Sequence, residues 1–461
     1  MTNKHTPNRR NFLKTAGIAA TAIGATPQLA FANGQSQTSI HPLGEDTYSF
    51  DRVYSRIGVN SIKWDAMIKR YGKNKIIVPM GIADTDFLQF PPSTTAILKR
   101  ATNENYGYET VPDSYYQTII DWNRERYGVD LKRSWIGDAA AIKPTIIAAL
   151  RGLLPSDSKV LIQTPTYSGF PSAIKEAGMR VDINPLKQDS DKWYMDLADL
   201  ERRIDDETKC LILCNPNNPT GNCWTEEELK ALGDICLKHN ILVLADEIHC
   251  DILNKGAQYT PYSSLGEEYA RSSITLKSVS KTFSQPSLKT AYFYTSNNNL
   301  MEAVVKKGGL DVEINTFGVV AAQAAYREGA AWVDGLKSYI NENFDYLVNF
   351  VNRPGSMPGI RVNKPDATYL AWLDCNELAR KIATPAHIDS LKTKWEAQGN
   401  NSFVDEGVVI REWLIENSGV QINAGHAYGP GSEGFLRMNI AVPREQLTLA
   451  LDKMNTALQK T

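Results

Sequence analysis

The chain has 461 residues, 42% hydrophobic and 22% charged, with 50 basic and 52 acidic side chains and a formal net charge of -2. That is enough apolar material for a large core, and the charge balance argues against nucleic acid or an anionic membrane surface as a partner. No internal run reaches the roughly 18 apolar residues that a bilayer-spanning helix needs.

Residues 1–32 read as a secretory signal. Arg9-Arg10-Asn11-Phe12-Leu13-Lys14 is followed by a mild small-residue stretch and then by Ala30-Phe31-Ala32, a small-x-small cleavage pattern. The paired arginines with Phe-Leu-Lys resemble the twin-arginine export signal, with Asn8 where Ser or Thr is usual. The expectation is a periplasmic protein, cleaved after Ala32 and free of the membrane thereafter. That route carries proteins already folded, so the six cysteines need not form a disulfide framework. Cys210 and Cys214 fall on one apparent strand, about 13 Å apart and beyond the ~7 Å that a disulfide tolerates. Cys223, Cys236, Cys250 and Cys375 lack metal-site spacing, and packing is their expected role.

The expected organisation is a segment 33–95 joining a smaller domain, a large domain 96–335 and a small C-terminal domain 336–461. In the large domain, residues 159–163, 210–214, 241–245 and 273–276 are short continuous apolar runs, the signature of strands buried on both faces. Helical stretches separate them, one opening at Thr225 with Glu228 completing a capping box. Strand and helix in alternation predict an α/β fold with a mostly parallel sheet. An amphipathic helix is expected over 328–352, stopped by Asn352-Arg353-Pro354-Gly355. Beyond Gly359, runs at 361–373 and 434–441 predict a second, smaller α/β domain.

In parallel α/β sheets the ligand lies beyond the carboxyl ends of the strands. Those ends deliver Tyr167, Asn218, Asp246 and Lys281. Together they suit an aromatic, cationic, phosphorylated cofactor held by a lysine. Tyr167 would stack on its ring, Asp246 would pair with a ring nitrogen, and Asn218 would donate to a ring oxygen. Lys281 would hold its aldehyde as a Schiff base. That cofactor is pyridoxal 5'-phosphate (PLP). A buried carboxylate is costly alone, whereas beside a pyridinium at about 4 Å and an effective dielectric near 20 the attraction is roughly 4 kcal/mol before desolvation.

Ordered stretches carry a resemblance over most of the chain: Lys63-Trp64-Asp65, Ala83-Asp84-Thr85-Asp86-Phe87, Tyr106-Gly107-Tyr108, Asn215 to Gly221, Asp246-Glu247-Ile248-His249, Ser280-Lys281-Thr282-Phe283 and Gly434-Phe435-Leu436-Arg437. The chain resembles the fold-type I PLP enzymes of the aminotransferase class I/II superfamily, and within them the MalY/PatB-type C–S β-lyases. The resemblance implies an α,β-elimination that releases pyruvate, ammonia and a thiol. An aminotransferase, a racemase or a non-catalytic PLP-binding protein are the other outcomes that such a site permits. It implies that Lys281 is also the acid/base at Cα. It places Lys289, eight residues on, at the cofactor phosphate, and Arg437 at the substrate carboxylate with the backbone near Ala83. Tyr108 would reach the phosphate of a neighbouring subunit, making a homodimer with shared active sites. The phosphate loop is here Ala139-Ala140-Ala141-Ile142-Lys143-Pro144, where alanine stands for the family's leading glycine, so the amides near Ala141 and Ile142 are the expected donors. Thr-Phe-Ser-Gln-Pro-Ser-Leu after Lys281 also lacks the family's glycine, and Thr85 replaces a usual methionine.

Blander readings stand beside these. Lys143 reads as a solvated helix-start residue, Tyr106 and Tyr108 as core aromatics, and Arg437 as an ordinary ion-pair partner. A metal at Asp246-Glu-Ile-His-Cys-Asp251 is disfavoured, because strand alternation would split Asp246 from His249. His249 lines the site or packs, and the residues alone leave that open.

Overall fold

The computed structural model describes residues 48–189, 192–310 and 313–461. The export signal expected over residues 1–32 lies outside them. Among the described residues there are fifteen strands: β1 Val78–Pro79, β2 Ile136–Ala139, β3 Lys159–Thr164, β4 Arg180–Pro185, β5 Lys187–Asp189, β6 Lys192–Tyr194, β7 Thr208–Cys214, β8 Leu242–Asp246, β9 Ser273–Lys277, β10 Ala291–Tyr294, β11 Arg361–Val362, β12 Leu370–Asp374, β13 Val420–Gln421, β14 Asn423–Ala424 and β15 Phe435–Asn439.

Seven of them form one sheet in the order β2-β10-β9-β8-β7-β3-β4. The run from β9 to β4 is parallel, and β10 is antiparallel to both its neighbours. Alternation along each strand feeds two cores. Val160, Ile162, Ile212 and Ile274 pack with the helices Ile142–Leu153 and Gly169–Glu176. Leu161, Leu211, Leu213 and Val243 pack on the other face with Leu229 and Leu232 of the helix Glu226–Lys238. Coverage of both faces is why these strands read as unbroken apolar runs. The capping box opens the last helix as expected: Thr225 Oγ1 accepts from the Glu228 amide at 3.2 Å and Glu228 Oε2 from the Thr225 amide at 2.8 Å.

Residues Thr47–Thr461 form one compact unit, which also contains a four-stranded antiparallel sheet, β11-β12-β15-β14. The run expected over 361–373 is two short strands with a loop between them. The helix expected over 328–352 is Ala330–Val351, preceded by a separate helix, Thr316–Glu328. They meet at Gly329, where a Cβ would lie 2.3 Å from the Ala325 carbonyl oxygen and 2.5 Å from the Phe283 ring. β2, β4 and β10 have no counterpart among the four apolar runs. β2 and β10 have only four residues each, and β4 is largely half-buried, so none presents a long apolar block. All six cysteines are free. No helix among the described residues is long and apolar enough to cross a membrane.

β1 pairs in parallel with β13, Val78 opposite Val420. From there residues 80–86 run along the small sheet to the carboxyl ends of the large one: the Met80 amide donates to Gln421 O at 2.6 Å and the Asp86 amide to Ala441 O at 2.9 Å.

Candidate active site

A cavity of about 390 Å³ opens at the carboxyl ends of β3, β7, β8 and β9, a size typical of small-ligand sites. Of the ten residues the sequence singles out, nine line it: Ala83, Ala141, Ile142, Tyr167, Asn218, Asp246, Lys281, Lys289 and Arg437. Tyr108 does not. Its side chain is 100% exposed, and Tyr106 beside it is 60% exposed, with its ring 5.9 Å from Phe317. Neither tyrosine is a core aromatic of this chain.

Asp246 is the last residue of β8, opposite Cys214 of β7. The strand lies one residue later than the apolar run suggests, so the carboxylate closes it rather than following it. Among the described residues only the Ile248 amide, at 3.2 Å, donates to it. Burial pushes its pKa up to about 7, with that amide and the charge of Lys281 pulling the other way. Lys281 sits in the short helix Val279–Thr282, capped by Ser278, whose side chain accepts from the Ser280 amide. Its Nζ donates to the Ala83 carbonyl at 2.8 Å. Burial, then the positive charge of Arg437, lowers its pKa to about 8, against the pull of Asp84 and Asp246.

Arg437, in the middle of β15, is 5% exposed. Its Nη1 donates to Asn218 Oδ1 at 3.0 Å and its Nη2 to the Gly81 carbonyl at 2.7 Å, while Nε has no partner. The guanidinium carbon lies 4.9 Å from the centre of the Tyr428 ring. No carboxylate among the described residues pairs with it, so it is not an ordinary ion-pair partner. Because the Asn218 oxygen is engaged by Arg437, its amide nitrogen remains available to donate. Tyr167 packs edge-on to Phe170 at 5.4 Å, over Gly169, whose Cβ would come within 2.3 Å of its ring.

Two expectations are corrected. Asp246 and His249 do line one cavity. The strand stops at Asp246 and the chain turns, with the Cys250 amide bonding to Glu247 O at 3.1 Å, so alternation does not separate them. His249 is buried, its Nδ1 has no partner, and its ring meets Tyr369 edge-on at 6.1 Å. Burial, then Lys281 and Arg437, holds its pKa well below the usual range. No metal-type cluster occurs among the described residues. Lys143 pairs with Glu176 at 2.9 Å but also lines the cavity, so it is more than a solvated helix start.

The alanines of the phosphate loop cost nothing in backbone freedom. Ala141 has an extended φ of -168°, and neither Ala139 nor Ala140 has positive φ. The missing glycine after Lys281 leaves a different trace: Ser284 and Lys289 both adopt φ of 53°, a left-handed conformation that glycine takes without strain.

Ser278, Tyr428 and Asn423, and Ser280 from the stretch that carries Lys281, also belong to the lining, although the sequence does not mark them as site residues. The serines were legible as a cap on the helix that carries Lys281. Tyr428 and Asn423 carry no local signal, since their place follows from the small sheet: Asn423 Nδ2 donates to Gly81 O at 3.0 Å and to Tyr428 Oη at 3.2 Å. The lining thus offers an acid, Asp246, to a cationic group, and the start of the helix Ile142–Leu153, Lys143 and Lys289 to an anionic one.

Residues 75–454 match the family described as aminotransferase class I and II. The chain belongs to that family. It is 30% identical to cystathionine beta-lyase PatB of Bacillus subtilis (strain 168), over 89% of this chain and 100% of that one. It is 28% identical to protein MalY of Escherichia coli (strain K12), over 87% and 96%. The structure of a PLP-bound C-S lyase from Staphylococcus hominis superposes with a TM-score of 0.77 at 28% identity, covering 90% of this chain and 99% of that one. The fold is that of the fold-type I PLP-dependent enzymes.

Proposed function

We propose that this chain is a PLP-dependent C–S β-lyase, converting an S-substituted L-cysteine and water to a thiol, pyruvate and ammonia. The observation that carries the proposal is one cavity lined by buried Asp246 and Arg437 and half-buried Lys281, none of them in an ion pair among the described residues. Charges left so in a fold await a ligand that completes them. The names of the relatives and of the similar structure point to the same reaction.

PLP supplies, when bound, a protonated ring that delocalises negative charge developing at the substrate Cα. Lys281 is the residue that would hold the cofactor. Its lowered pKa favours a neutral amine able to take the Cα proton. Asp246 would hold the proton on the ring nitrogen, the Asn218 amide would donate to the ring oxygen, and Tyr167 would pack against the ring. Ala141, Ile142, Lys289 and the serines beside Lys281, all in the lining, would hold the phosphate. Arg437 takes the α-carboxylate through its two-pronged donor edge, with the Ala83 backbone beside it.

The deciding assay is pyruvate release from L-cystathionine by PLP-loaded protein with no 2-oxo acid present. Amino transfer to a 2-oxo acid without pyruvate would instead support the aminotransferase reading, which the family assignment favours. Lys281→Ala is expected to abolish turnover and the visible absorbance of the lysine-bound cofactor. Retained absorbance and an unaltered phenotype would indicate a binding protein.

The same proposal includes a homodimer in which Tyr108 serves the neighbouring subunit's site. The support is a run from Thr102 to Thr110 that is exposed throughout despite its two tyrosines. It also includes twin-arginine export, supported by the order of residues 8–32. Replacing Arg9 and Arg10 by lysine is expected to strand the protein, uncleaved, in the cytoplasm, and export unaffected by that change would refute the assignment.

A further inference from the structure

Arg56, Lys63, Asp84 and Asp86 form a quartet of two cations and two anions just outside the cavity lining, with Lys63 and Asp86 buried and Arg56 and Asp84 half-buried. Arg56 contacts Asp84 at 2.7 Å and Asp86 at 2.6 Å. Lys63 Nζ lies 3.0 Å from Asp86 Oδ2 and donates to the Asp84 carbonyl at 3.2 Å. The Lys63 side chain is 0% exposed and that of Asp86 1%. Taking such groups out of water is costly, and apolar residues of similar volume often serve stability as well.

The quartet fixes the run 81–86. Every carbonyl from 81 to 84 is held. Gly81 O takes Arg437 and Asn423, and Ile82 O takes Asn439 Nδ2 at 2.6 Å. Ala83 O takes Lys281 at 2.8 Å and Tyr369 at 3.0 Å, and Asp84 O takes Lys63 and Asn439. The Ile82 and Ala83 amides, in contrast, have no acceptor among the described residues, although both residues line the cavity. One short stretch thus touches the lysine and the arginine of the site and leaves free N–H groups between them.

We propose that Lys63 is a positioning residue for the substrate carboxylate. Through Asp84 and Asp86 it holds the 81–84 backbone where the Ala83 amide and the Arg437 guanidinium receive the carboxylate of an amino acid together. The inference rests on Arg437 being the carboxylate receptor.

The test compares S-ethyl-L-cysteine with 2-(ethylthio)ethylamine, the same molecule without its carboxylate, binding each to PLP-loaded protein and following visible absorbance. Lys63→Met is expected to weaken the amino acid by about 10- to 100-fold, the scale of a small misplacement at an active site. It leaves the amine's affinity and the cofactor content unchanged. In cofactor-free protein, amide exchange should quicken over 81–86 and not elsewhere. Equal loss for both ligands, or unchanged exchange over 81–86, overturns the inference. Should Lys63→Met fail to fold, the charge-neutral pair Lys63→Met/Asp86→Asn answers the same question, because it still lacks the donor to the Asp84 carbonyl. Wild-type protein that prefers the amino acid but yields no pyruvate overturns the lyase assignment and supports this one. A wild type with no preference for the carboxylate overturns this one.

Discussion

At Asp246 the demands of folding and of function oppose each other. Burial lifts its carboxyl from 3.8 to about 7. The folded chain therefore keeps this proton at pH values where the unfolded chain has lost it. The stability of the cofactor-free protein falls as pH rises from about 4 to about 7, and the loss is complete above that. A span of about 3 pH units caps the effect at about 4 kcal/mol. Asp246→Asn is expected to match the native protein near pH 4 and to exceed it in thermal unfolding near pH 8, while binding PLP far more weakly. Identical pH profiles for the two cofactor-free proteins would contradict this account. Asp246 and Lys281 were readable individually, because each is a charged residue at or shortly beyond the end of an apolar run. The state of His249 was not, since only its surroundings make it a neutral imidazole facing the cavity.

Among the elements, the parallel strands β3, β7, β8 and β9 were legible because a strand covered on both faces must be apolar throughout. Short strands such as β2 and β10 take their shape from neighbours, Phe293 opposite Gly137 and Leu276. The join between the helices Thr316–Glu328 and Ala330–Val351 bears on the site. The Phe283 ring packs against Gly329 and stacks on Trp332 at 5.3 Å, two residues after Lys281. Gly329→Ala is expected to lower stability by about 1–3 kcal/mol, the usual cost of overpacking, in a denaturant titration. It should also lower turnover, through a displaced Phe283, more than it alters affinity for PLP. A variant of native stability would mean that the join relaxes freely.

The whole-molecule question is whether one chain makes a complete site. If Tyr108 completes a neighbour's cavity, Lys281→Ala and Tyr108→Ala chains, each impaired alone, should complement on mixing. In a heterodimer of the two, one site carries both lesions and the other carries none. After random reassortment about one quarter of native activity is expected. Recovery no greater than the sum of the two separate proteins would place Tyr108 outside the shared site.

Apolar runs, caps and the polar residues that follow each strand are written locally, and they sufficed to bring out the parallel centre of the sheet, its carboxyl-end site and four lining residues, Tyr167, Asn218, Asp246 and Lys281, while Ala83, Ala141, Ile142, Lys289 and Arg437 came from the family resemblance. The joining of that site to the 81–86 run and to the small sheet was a matter for the folded chain alone. The bond from Lys281 to Ala83 spans 198 positions and that from Arg437 to Gly81 spans 356. Contacts over such separations leave no periodic trace, because what selects them is the burial of charge among distant segments brought together by the core.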